Sequence, residues 1–131
     1  MTQEEKELLV KDLCARSLYE VKCLCDSGDR PLTIAYINRG KVHIEEYPQP
    51  TYDIDAVKPY LRPMSSMTEE ERIVFESLGW RVDELNSNAP WNHNSYNVFD
   101  GIDWLNAHHF DYRGLIPRGL ALEASEDMYN K

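Results

Sequence analysis

Apolar and polar positions follow two rhythms along this chain, one of helical period and one of strand period. Leu9, Val10, Leu13 and Cys14 recur at helical spacing behind Thr2-Gln3-Glu4-Glu5, where the Thr2 hydroxyl and the Glu5 carboxylate can cap each other's amides. The spacing predicts a helix over about residues 3–16. Tyr19, Val21, Cys23 and Cys25 then alternate with Glu20, Lys22, Leu24 and Asp26, the period of a half-buried strand. Ser27-Gly28-Asp29-Arg30-Pro31 interrupts it with turn chemistry. Leu32–Ile37 is rich in strand formers, Asn38-Arg39-Gly40-Lys41 reads as a tight turn, and Val42–Tyr47 is a third strand. Links this short favour an antiparallel meander.

Pro48 and Pro50 end that run. Asp53 is placed to cap a short helix over Ile54 to Tyr60, against which Pro59 works. Thr68-Glu69-Glu70-Glu71 is a second capping box, with three acids at the positive end of the helix dipole. Val74, Phe75 and Leu78 supply its buried face and Gly79 a stop. Trp80–Val82 suits a short strand, and Asn86–Ser95 is a loop by composition. Phe99, Ile102, Leu105 and His109 return to helical spacing despite Gly101. In that reading His109 ends the apolar face and His108 is exposed. Arg113-Gly114 and Pro117-Arg118-Gly119 are turns, Leu120–Ala124 is a last strand or an apolar tail, and 124–131 are expected to fray. The expected fold is α+β: one domain over 1–131, with a three-stranded antiparallel meander packed by about three helices.

Composition narrows the function classes. With 42% hydrophobic and 28% charged residues in 131, the chain has ordinary globular make-up. No stretch approaches the roughly 18 apolar residues of a membrane span. The start, Met-Thr-Gln-Glu-Glu-Lys, is polar and acidic, which predicts no signal peptide and a cytoplasmic location. The net charge of −9 is spread over the last two thirds of the chain. Such a field favours solubility and disfavours direct nucleic-acid binding. The three cysteines include Cys23 and Cys25 on one strand face, which reads as reduced, buried thiols. They lack the two ligand pairs of a zinc motif.

The best enzyme candidate is His108-His109-Phe110-Asp111-Tyr112-Arg113, since imidazole and carboxylate serve as metal ligands and general bases. Asp100, Asp103 and His93 could join it. Adjacent histidines on a helix diverge by about 100°, however, and a zinc-binding helix spaces them at i and i+4. No nucleophile elbow, phosphate loop or dinucleotide fingerprint occurs, so no cofactor is implied. The best binding candidate is Asn86–Asn97, where Trp91, His93 and Tyr96 accompany five asparagines. Arg113 and Arg118 flank two turn glycines and could hold a small anion. These features favour a non-catalytic module acting on another protein. The alternative is a small metal-dependent hydrolase or nuclease using His108, His109 and Asp111.

Three stretches carry a resemblance: Glu4–Arg16, Lys58–Glu71, and Asp103–Ile116 closing with Gly119–Ala124. Together they resemble a family of small uncharacterised proteins from gut Bacteroidetes and their prophages. That resemblance implies a bacterial cytoplasm and a mobile-element origin, and brings no activity or catalytic residue. If Lys58–Pro63 packs beside His108–Arg113, Tyr60 and Tyr112 would wall a polar groove.

Overall fold

A computed structural model describes the chain except positions 27, 29, 47, 79, 83–90, 94–97, 130 and 131, with backbone alone at 80–82, 91–93, 98 and 99. Both capping boxes form. Glu5 N donates to Thr2 Oγ1 at 3.1 Å and Thr2 N to Glu5 Oε1 at 2.8 Å, starting α1 (Gln3–Arg16). Thr68 and Glu71 repeat the exchange at 3.1 and 3.0 Å, starting α2 (Glu69–Ser77).

The meander of β1 (Lys22–Cys25), β2 (Leu32–Asn38) and β3 (Lys41–Ile44) is antiparallel as expected. At the β2–β3 turn, Gly40 takes φ +77°, which its missing side chain permits. The sheet does not stop at three strands. β4 (Thr51–Asp53) adds to β3, and β5 (Val57–Pro63) pairs with β1. After α3 (Val98–Ala107), β8 (Phe110–Asp111) and β9 (Leu122–Glu123) lie parallel to β5, giving a seven-stranded mixed sheet. A separate antiparallel ribbon joins β6 (Trp80–Val82) to β7 (Trp91–His93), so Trp91 and His93 belong to a strand, not to a continuous loop.

β5 is the largest departure from expectation. Only Ile54–Ala56 makes a helical turn, and the chain then runs straight through two prolines. Backbone groups alternate edges along a strand. Ala56 O receives Asp26 N from the β1 side at 2.8 Å, while Leu61 O receives Ala124 N at the same distance. Odd positions therefore face away from β1, and Pro59 turns its missing donor to that side. Arg62 N bonds His109 O at 2.7 Å, so β8 continues along the edge that β1 vacates, and β9 takes the other.

Two apolar clusters result. In the first, Leu9 and Leu13 of α1 pack on Cys23, Val42, Ile44 and Leu61 of the sheet. In the second, Phe75 of α2 meets Leu105 of α3, Phe110 of β8 and Met64. Thus α1 covers the meander, while α2 packs beyond it beside α3. Fully burying Phe75 contributes roughly 2–3 kcal/mol. The buried face of α1 is not the one its apolar residues outline: Cys14 is exposed, and Asp12 and Arg16 are fully buried beside Leu9 and Leu13. Within the segment expected to fray, Ala124 and Tyr129 are held to the sheet, while 130 and 131 lie outside the described residues. Ala124 N bonds Leu61 O, and Tyr129 makes two hydrogen bonds to the sheet. Among the described residues, no helix is long and apolar enough to cross a membrane.

Candidate functional site

The C-terminal end of α3 organises the candidate site. The helix closes as His108 N bonds Trp104 O at 3.0 Å and His109 N bonds Asn106 O at 3.1 Å. His109 then takes φ +66°, the left-handed position usually given to glycine after a helix. That conformation costs a non-glycine residue on the order of 1 kcal/mol. It is held on both sides: the His109 carbonyl accepts Arg62 N, and its imidazole stacks on Tyr129 with centroids 3.6 Å apart. His109 is therefore a buried junction between α3 and β8 and does not end a helical apolar face.

His108 and Asp111 are also engaged with backbone. His108 is half-buried, stacks on Trp104 at 4.0 Å and bonds the Trp104 carbonyl through Nδ1 at 2.9 Å. A carbonyl only accepts, so Nδ1 carries a proton and donates it. Asp111 spends both carboxylate oxygens on one turn: Oδ1 accepts Leu115 N at 2.8 Å and Oδ2 accepts Ile116 N at 2.9 Å. Among the described residues, no three His, Cys, Asp or Glu side chains gather closely enough to hold a metal ion.

A groove of about 640 Å³ opens where β1 and β8 part along β5. Leu18, Tyr19 and Glu20 form one bank, His108 and His109 the other, with Tyr129 and Met128 also lining it. Leu18 is 85% exposed. Arg62 and Glu71 lie at the rim as a two-pronged pair, at 2.7 and 2.6 Å. The Arg62 guanidinium holds the Glu71 carboxyl down at about 2, against the opposing effect of burial. Arg62 also lies 4.1 Å from the Phe110 ring centroid, so the α2 capping box is fastened to β5 and β8 through one side chain. Lys58–Pro63 lies beside His108–Arg113, the condition for a shared groove, through Arg62–Phe110 and Pro63–Asp111 pairing. The tyrosines of the groove are nevertheless Tyr19 and Tyr129, not Tyr60 and Tyr112.

Behind the groove lies a polar cluster the residue pattern did not announce. Asp12 accepts from Arg16 Nε at 2.7 Å, Arg16 Nη2 at 3.0 Å and Arg113 Nε at 3.1 Å. Both guanidinium carbons lie 5.1 Å from the Tyr112 ring centroid, and the Tyr112 hydroxyl donates to Asn106 Oδ1 at 2.9 Å. Arg113 and Tyr112, expected at a binding surface, thus tie α1 to the end of α3. Arg113 is not a free partner for Arg118 in an anion site. The signal for this cluster was the i, i+4 spacing of Asp12 and Arg16 in register with Leu9 and Leu13. Of the expected binding loop, Tyr96 lies outside the described residues, as do the side chains of Trp91 and His93.

No protein-family model, curated protein or solved structure matches the chain.

Proposed function

We propose that this chain is a non-catalytic protein-interaction module of a bacterial or prophage system, receiving a partner in the groove between Leu18 and His108. The system is suggested by the sequence resemblance alone. One observation carries the module: His108, His109 and Asp111, the residues on which the hydrolase alternative rests, are each engaged with backbone or packing. Asp111 holds two amides, His108 Nδ1 holds a carbonyl and His109 stacks on Tyr129. What remains for a ligand is an exposed Leu18, Met128 and a charged rim of Glu20, Lys22 and the Arg62–Glu71 pair. An apolar centre with a polar rim is the make-up of a protein contact.

The test is affinity capture from a native host extract with the wild-type chain and with Leu18→Glu, which leaves the buried core untouched. A partner retained by the wild type and lost by Leu18→Glu supports the reading. A partner that survives the substitution, or none at all, overturns it.

A further inference from the structure

The register of β1 on β5 pairs Cys25 with Val57, Leu24 with Lys58 and Cys23 with Pro59. Continued by one residue, it would set Lys22 against Tyr60. At that position a phenol stands between the strands. Lys22 N donates to the Tyr129 hydroxyl at 2.9 Å, and that hydroxyl donates to the Tyr60 carbonyl at 2.7 Å. The ring lies nearly parallel to the His109 imidazole, at 15° and 3.6 Å between centroids. Burial pushes the Tyr129 hydroxyl pKa up, which keeps on it the proton the carbonyl needs.

The chemistry required at this point is narrow. One atom must accept from an N–H and donate to a C=O, and it must be carried on a flat ring that can stack. A phenol meets all three demands. A phenyl ring leaves both backbone groups unpaired, and an aryl phosphate offers the carbonyl no proton and adds negative charge. Among the described residues, the segment bearing this phenol is held to the sheet at Ala124 and Tyr129. Ser125, Glu126 and Asp127 are exposed, and the bonds at Ser125 Oγ and Met128 N stay within the segment. Tyr129 and Met128 line the groove assigned above to a partner.

We infer that the slot between Lys22 N, the Tyr60 carbonyl and the His109 ring is a phenol-recognition site, occupied here by Tyr129, and that the partner enters the groove with a tyrosine that displaces it. This rests on the interaction-module reading, and deepens it by naming the group recognised.

The slot is tested in the full chain by Tyr129→Ala, with p-cresol, toluene and p-tolyl phosphate as probes. We expect p-cresol to raise the variant's thermal midpoint by about 4 °C at ten times its dissociation constant, with no rise from toluene or p-tolyl phosphate. Equal rescue by toluene, or none by p-cresol, overturns the inference. Should Tyr129→Ala fail to fold, the wild-type chain serves, titrated with a peptide of residues 125–131 and with the same peptide carrying Phe for Tyr. Displacement predicts that the tyrosine peptide alone moves the His109 ring resonances. No movement, or equal movement by both peptides, refutes it. Rescue by p-cresol without response to the peptide marks a site for free phenols and refutes the tyrosine partner. Failure of the Leu18→Glu experiment with p-cresol rescue intact would remove the module reading and leave the slot, so the two fail separately.

Discussion

Asp12→Asn is the most informative single change to the interior. Asp12 and Arg16 are fully buried, and Arg113 reaches the same carboxylate with a quarter of its side chain exposed. One negative charge thus serves two guanidinium groups. Asparagine keeps the shape and removes the charge, leaving Arg16 buried without a counter-ion and facing Arg113. Breaking a buried pair in this way costs roughly 3–5 kcal/mol. An independent figure agrees: two unit charges about 4 Å apart interact by about 4 kcal/mol at an effective dielectric near 20. Against a total stability of about 5–15 kcal/mol for a domain, the loss is large. Arg16→Met behaves differently. It leaves Asp12 paired with Arg113, and removes Arg16 Nη1, a buried nitrogen with no hydrogen-bond partner among the described residues. Its cost should stay near 1–2 kcal/mol, because well-packed apolar replacements of buried ions are often close to neutral. Urea unfolding of the two variants and their combination, followed by circular dichroism, measures this through the midpoint at unchanged slope. The combined variant should be more stable than Asp12→Asn alone, since the stranded charge is gone. If Asp12→Asn falls within 1 kcal/mol of wild type, or if the two losses simply add, the charge argument is wrong.

Two further outcomes follow from the same geometry. Asp111→Ala strands the Leu115 and Ile116 amides and should cost about 2–4 kcal/mol, with faster hydrogen exchange at both; unchanged stability would return Asp111 to the list of groups free for chemistry. Glu71 has its pKa depressed to about 2 by Arg62, so its contribution is present above the ordinary carboxylate value and fades as pH falls from about 4.5 towards 2. The stability gap between wild type and Glu71→Gln should therefore close over that interval, and a gap of constant size would show that the Arg62 pair contributes nothing.

Local pattern was enough for whatever depends on near neighbours. Thr2 and Thr68 cap the residues three positions ahead, so both helix starts were legible, as were β1 to β3, whose pairing is set by short turns and by alternation. The burial of Cys23 and Cys25 on one face followed from the same period. β5 was not legible, because Pro59 argues against a strand until one knows which edge its nitrogen faces. That edge is chosen by β1 and β9, contributed from some 35 residues before and 63 after. The ion cluster was hidden for a related reason: Asp12 reads as a solvated residue unless Arg113, 101 positions away, is brought to it. His109 shows the limit most plainly. Its spacing from Leu105 is helical, yet the pull of Arg62 N on its carbonyl and of Tyr129 on its ring turns the chain left-handed there. Hydrogen bonds and stacking between distant segments outweigh about 1 kcal/mol of local preference, and only the folded chain brings those segments together.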